Sequence, residues 1–219
     1  MPKQVDLEGR RRQIAEAVCL LVDELGLEGV TLRDVAARAE VSMGAVQRCF
    51  HTKEEMLLFA LAHIGERVSE RVRSRLTAGP AQSAASELGL VAGEVALLRE
   101  EHRAEARIWL GFVAGAAVNQ ALARTLRSSY AALEELMVRL ITEATGGSSA
   151  GAGAEGGGAE GDRADGAGAE GGGVAARTEA RTLLALADGL TAHVLVGHRT
   201  AAEAEEVLHA HLAGLWARR

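Results

Sequence analysis

The sequence predicts an all-α protein, and three observations carry the prediction. Proline occurs only at Pro2 and Pro80, so long stretches are free of the strongest helix breaker. Apolar residues recur with a period near 3.6 along most of the chain. No run alternates apolar and polar residues in the manner of a half-buried strand. Only six of the 219 residues are aromatic, so Ala, Leu and Val must build most of the core.

The first helix is predicted over about residues 8–25, because Ile14, Val18, Leu21, Val22 and Leu25 share one face. Short helices follow at about 32–39 and 43–49. A long helix then runs from Lys53 to about Leu76, and Pro80 is expected to start the next, which ends near Arg99. Further helices are predicted at about 102–118, 120–145, 175–197 and 201–217.

Composition excludes several classes. Lys+Arg number 24 against 30 Asp+Glu, a net charge of -6, and 48% of residues are hydrophobic, ordinary values for a globular chain. Two cysteines, Cys19 and Cys49, cannot build a disulfide-rich scaffold or, alone, a CxxC metal site. The opening MPKQVDLEGRRR has no apolar core of the kind a signal peptide needs. The longest uncharged run, Ile108 to Ala123, has 16 residues. A membrane helix needs roughly 20 apolar residues. The expected setting is the cytoplasm, with no membrane partner.

One segment differs in kind. Residues 146–173 comprise 13 Gly, seven Ala, two Ser, five acids and one Arg, so they offer no apolar bulk to offset ordering entropy. A flexible Gly/Ala-rich loop is expected there. Gly151-Ala-Gly153-Ala-Glu-Gly156 and Gly166-Ala-Gly168-Ala-Glu-Gly171 both fit GxGxxG. A dinucleotide site also needs an apolar strand before the glycines and a helix after them, and neither flank is present. No cofactor is expected.

The most informative stretch runs from Val30 to Phe50. Thr31 is a good N-cap, with Asp34 three positions on to complement the helix dipole. Leu32, Val35 and Ala36 share a face. Ser42 caps a second short helix whose Val46 and Phe50 point inward at i and i+4. About three residues separate the two helices, which forces the sharp angle of a helix-turn-helix. Met43, Gly44, Gln47 and Arg48 are left on the outer face. Gly44 costs a helix about 1 kcal/mol, which makes sense where another surface must approach the backbone.

These residues resemble the DNA-binding domain of the tetracycline-repressor (TetR) family of transcription regulators. The match runs from Arg12 to Leu58. Its elements are Leu25-Gly26, Val30 to Ala36, Val41 to Val46, and Phe50-His51-Thr52-Lys53-Glu54-Glu55-Met56-Leu57. The resemblance implies that the second short helix enters the major groove of a double-stranded DNA operator. It matches Thr31, Ser42, Thr52 and Lys53 to positions that hold phosphates, and Arg33, Met43, Ala45 and Arg48 to positions that meet bases. Chemically, hydroxyls and N–H groups at helix starts suit phosphate, and side chains on an exposed helix face suit base edges. Arg48 can pair bidentately with guanine, and Ala45 can touch a thymine methyl. Gln47 and Cys49 depart from the family's usual Tyr and Tyr/His. Gln47 can contact phosphate or read adenine, and Cys49 is either a redox sensor or a small half-buried thiol. Residues 1–56 carry eight basic and ten acidic groups, so charge must act through its placement, notably Arg10, Arg11, Arg12 and Lys53.

The implied organisation is a helix-turn-helix DNA-binding domain at 8–52 and a larger helical regulatory and dimerisation domain at 53–219. The loop at 146–173 lies inside the second. The stretch Thr182 to Leu190 resembles the family's "DGL" helix, which pairs with its copy across a two-fold axis to make a homodimer. Leu183, Leu186, Leu190 and Val194 form one stripe, and Ala204, Leu208, His211, Leu212 and Leu215 form another. Trp109, Phe112, Asn119, Met137 and Asp188 are ligand candidates, because they place bulk or polarity within apolar stretches. Gly111 and Gly115 allow close helix contact. His193, His198, His209 and His211 have no metal-site spacing, and no HExxH or GxSxG motif occurs. The expected function is a regulator, a repressor released from a palindromic operator by a small molecule. Ligand-independent regulation, a helical enzyme with a borrowed head and a non-DNA interaction module are the alternatives.

Overall fold

The computed structural model describes residues 7–78, 82–146 and 165–217. Helices and their connections account for them, with no strand among the described residues. In order they are α1 (Leu7–Gly29), α2 (Leu32–Arg38), α3 (Met43–Cys49), α4 (Lys53–Thr77), α5 (Ala84–Val95), α6 (Arg103–Ala116), α7 (Gln120–Gly146), α8 (Asp165–Leu195) and α9 (Ala201–Ala217). A single 3₁₀ turn, Glu100–His102, leads into α6. Among the described residues no helix is long and apolar enough to cross a membrane.

The chain divides into two compact units, Met1–Glu70 with Arg99–Ser129 and Arg71–Leu98 with Tyr130–Arg219. In the first unit, Ile14, Val18, Leu21 and Val22 of α1 are buried, together with Val35 of α2, Val46 of α3 and Leu61 and Ile64 of α4. Leu25 is not, at 54% exposed. It is the last residue before Gly26 (φ 72, ψ 169) breaks the helical repeat, and beyond the break Leu27 meets α6.

The α1–α6 packing is close because two glycines permit it. A Cβ at Gly111 would lie 3.4 Å from Val22 Cγ1, and one at Gly115 would lie 2.3 Å from Leu27 Cδ2. Arg107 of α6 adds a forked ion pair to Asp23 of α1, its Nη2 donating to Oδ2 at 3.0 Å and its Nε to Oδ1. Planar guanidinium and carboxylate fit each other in this two-bond geometry.

The second unit has its own core, in which Leu88, Val91, Met137, Ile141, Leu183 and Leu208 are prominent. Glu94 is 1% exposed and is bridged by two arginines of α4, Arg71 Nε at 3.3 Å and Arg75 Nε at 2.8 Å. A buried carboxylate requires such partners, because desolvation of a lone charge is costly. The buried Thr191 hydroxyl lies within donating distance of the Ala96 carbonyl (2.6 Å) and the Ala187 carbonyl (2.8 Å).

Two predicted boundaries are corrected. α5 starts at Ala84, after Pro80, which lies outside the described residues. Ser83 caps it, its Oγ accepting from the Ser86 N–H at 3.2 Å, and the helix stops at Val95 just before Leu97 at φ 49. Residues 165–173, expected in the loop, are the first turns of α8. Propagating a helix from a packed segment needs no new nucleus, so even glycine-rich sequence can extend it. The remainder of that loop, with the first GxGxxG, lies outside the described residues.

Candidate nucleic-acid interface

The geometry of the second and third helices follows from their caps. Thr31 Oγ1 accepts from the Asp34 N–H at 3.2 Å and donates to Asp34 Oδ2 at 2.6 Å, which fixes the start of α2. At its end the Glu40 and Val41 N–H groups return to the Ala37 and Ala36 carbonyls at 3.2 and 3.0 Å. This reversal puts Glu40 at φ 52, in the left-handed region. Gln13 of α1 holds the corner by donating from Nε2 to the Ala39 carbonyl at 2.8 Å. Ser42 Oγ then accepts from the Ala45 N–H at 3.2 Å and starts α3. Val46 and Phe50 are buried, so the opposite side of α3 faces outward.

That outer face carries Met43 (41% exposed), Gln47 and Arg48, with Gly44 between them. A Cβ at Gly44 would meet only Arg48 Nη1, at 3.7 Å. Nothing inside the molecule therefore requires glycine there. Arg33 of α2 is also exposed, and among the described residues neither Arg33 nor Arg48 has an ion-pair partner. Arg38, by contrast, is held by Glu24 through two bonds of 2.8 and 2.6 Å. Those hydrogen bonds lower the Glu24 pKa and raise that of Arg38.

Thr52 and Lys53 stand at the start of α4. Thr52 Oγ1 accepts from the Glu55 N–H at 3.0 Å, an N-cap bond, while Lys53 Nζ donates to the Glu28 carbonyl at 3.3 Å. Ala45 does not fit its predicted place. It is 3% exposed, one of the interior residues of α3, because the turn that puts Met43 and Gln47 outward puts position 45 inward beside Val46. Its methyl is not part of the outer face.

Residues 14–59 match the family model described as bacterial regulatory proteins, tetR family. The N-terminal segment resembles that family over these residues. The matched segment is the one just described, from the middle of α1 through α3 into the first turns of α4. Among curated proteins, the transcriptional regulator PksA of Bacillus subtilis is 44% identical over 73 residues, 33% of this chain and 36% of that protein. The regulator BetI of Paraburkholderia phymatum is 37% identical over 92 residues, 42% of this chain and 47% of that one. The chain thus spans less than half the length of these two relatives. Solved structures match over nearly the full length. A transcriptional regulator from Rhodococcus has 26% identity, a TM-score of 0.71, and coverage of 94% of this chain and 95% of that one. A regulator from Saccharomonospora viridis, at 20% identity and a TM-score of 0.74 over 94% and 96%, shares the fold.

Beyond this N-terminal segment, the other predicted residues fall as follows. Trp109, Phe112 and Asn119 lie in the first unit, Met137 and Asp188 in the second. Phe112 and Met137 are fully buried core side chains. Asn119 is the cap of α7, its Oδ1 accepting from the Ala121 and Leu122 N–H groups at 2.8 and 3.0 Å, and its Nδ2 donates to Glu54 Oε1 at 3.1 Å. Those bonds occupy its amide within the fold. Asp188 accepts from the Tyr130 hydroxyl. Polarity inside an apolar stretch marked helix capping and packing at these positions as readily as a ligand.

The predicted dimer stripe is also corrected. Leu183, Leu190, Val194, Leu208, Leu212 and Leu215 are all buried in the second unit's own core, with Leu186 packed against it. The more exposed side of α8 presents Thr182, Ala185, Gly189 and His193, and that of α9 presents His209, Ala210 and Ala213. Both cysteines are buried and free. Burial pushes the Cys19 thiol up to about 12, so it stays protonated and unreactive.

Sequence reasoning missed one member of the head. Arg11 lies over the rings of Phe50 and Phe59, 4.7 and 4.6 Å from their centroids, and its Nη2 is 3.7 Å from Glu55 Oε1. The signal was present as an i, i+4 spacing of Glu55 and Phe59 and an arginine in the first turns of α1, but only the folded chain brings them together.

Proposed function

We propose that the chain is a sequence-specific DNA-binding transcriptional regulator, a repressor acting as a homodimer. The observation that carries the reading is the outer face of α3. Met43, Gln47 and Arg48 project from a capped helix beside a glycine that no internal contact demands. Each α3 would lie in a major groove, with Ser42, Thr31 and Thr52 at phosphates and Arg48 at a base edge. In a symmetric dimer the two helices meet half-sites roughly 34–36 Å apart or at a related spacing.

Because the leucine stripes are internal, the dimer face is better assigned to the opposite sides of α8 and α9. Small residues there, Ala185, Gly189, Ala210 and Ala213, let helices approach closely, and a Cβ at Gly189 would meet nothing within 4 Å. Release by a small molecule requires that it bind the DNA-free arrangement more tightly, by about 1–3 kcal/mol. A molecule with equal affinity for free and DNA-bound protein does not act this way. Among the described residues no group of His, Cys, Asp and Glu could hold a metal ion, and the family resemblance points to a regulator.

Selection of bound duplexes from a random pool tests the reading. An inverted repeat is the expected product. Sequence-blind retention that disappears with added salt would overturn it.

A further inference from the structure

The three consecutive arginines at the start of α1 cluster in sequence, but the geometry separates Arg11 from Arg12. Arg12 is exposed and pairs with Glu8 at 3.6 Å on its own helix. Arg11 turns the other way. Its guanidinium lies over both Phe50, the residue that ends α3, and Phe59 of α4, whose rings are 5.4 Å apart and inclined at 56°. A cation within about 6 Å of a ring centroid is attracted to the ring face, and here one guanidinium serves two rings. Its Nη2 also faces Glu55 Oε1 at 3.7 Å. The other oxygen of that carboxylate accepts the His51 N–H at 2.9 Å, and the Glu55 N–H donates to Thr52 Oγ1 at 3.0 Å.

These contacts make one chain of interactions from α1 through Glu55 to the His51–Thr52 turn. We propose that Arg11 is a positioning residue for DNA recognition, fixing the end of α3 and the α3–α4 turn through Phe50, Phe59 and Glu55 rather than touching DNA. The proposal deepens the DNA-binding reading and rests on it. The end of α3 determines how Arg48, two residues before Phe50, meets a base edge, and the turn carries Thr52. Losing the brace therefore lowers discrimination between sequences more than it lowers attraction to the phosphate backbone.

The test compares wild type, Arg11→Met, Arg11→Lys, Glu55→Gln and the Arg11→Met/Glu55→Gln double variant. Each is titrated against the duplex recovered by selection and against a scrambled duplex of equal length, across a salt series. Folding is followed by helicity and Tm. Arg11→Met, which keeps the aliphatic stem, is expected to lose about tenfold in the ratio of specific to scrambled binding. Arg11→Lys restores part of it, and the double variant is no worse than the poorer single variant. The slope of log K against log salt stays at the wild-type value.

A slope shallower by about 0.9 means that Arg11 itself neutralises a phosphate, which overturns the proposal. So does equal loss on both duplexes, the signature of a smaller folded fraction, and so does an unchanged ratio. Amide hydrogen exchange at His51 in the free protein gives an independent reading. Faster exchange in Arg11→Met is expected, and unchanged exchange contradicts the brace. Should wild type show no sequence preference while His51 exchange still depends on Arg11, the DNA-reading assignment fails and the brace itself stands.

Discussion

Single residues on α3 separate what the fold needs from what an external surface needs. Gly44 sits in a helix with open space where its side chain would be, apart from Arg48 Nη1 at 3.7 Å. Gly44→Ala should therefore raise stability by about 1 kcal/mol, the helix-propensity difference. If α3 lies against DNA, the same methyl should weaken specific binding. Tm and duplex affinity measured on one preparation check both halves, and opposite signs are the expected result. Arg33 and Arg48, exposed with no ion-pair partner among the described residues, contrast with Arg38, whose fork is taken by Glu24. The sequence cannot sort arginines in this way, because pairing depends on what another helix brings alongside. Ala45 shows the same limit. Its resemblance-based place on the outer face fails because a small residue beside Val46 fits equally well inside.

Elements were legible wherever a local rule decides them. Periodicity located every helix to within a few residues, apart from the start of α8. Thr31 and Ser42 act as caps because short hydroxyl side chains can reach N–H groups three residues on. Rules of phase were less secure. Gly26 breaks the α1 repeat just after Leu25, which is exposed, and Leu27 beyond the break meets α6. Gly115→Ala forces the Leu27 side chain to move, an overpacking cost of about 1–3 kcal/mol that the helix-propensity gain of about 1 kcal/mol partly offsets, for a small net loss. Leu27→Ala in the same background should recover part of that loss, and chemical denaturation of the double variant measures the recovery. In the second unit, Arg181 and Arg177 of α8 donate to Glu134 of α7, at 3.2 and 2.9 Å, and hold its carboxyl below the usual 4.5. A carboxyl depressed by folding stabilises above the unfolded value, and that contribution disappears as pH falls through the folded one. Glu134→Gln should therefore melt slightly below wild type at pH 7, with the gap closing on acidification below about 4.5. Melting curves across pH 3–7 show whether it closes.

At the scale of the whole molecule, an apolar stripe states that a helix face is covered but not what covers it. Leu183, Leu190 and Leu208 satisfy their stripes inside one chain, so the core accounts for the amphipathicity that the resemblance linked to a pairing helix. Leu190→Ala should cost about 2–5 kcal/mol as a core cavity, without a specific effect on association. Gly189→Arg should leave helicity intact and yield monomers in sedimentation, since its position opens outward. A dimer that persists in that variant would return the interface to another face. The N-terminal head was the most legible part of the chain, because caps, turn and inward residues lie within about fifty consecutive positions. The C-terminal part was the least, because its contacts join residues distant in sequence.

Base reading by the outer face of α3 is tested most directly by parallel selections from one random duplex pool, with wild type and with Arg48→Ala. Wild type is expected to recover an inverted repeat, and Arg48→Ala the same repeat with preference lost at one base pair in each half. Uniform weakening at every position, or identical motifs from both proteins, would contradict it.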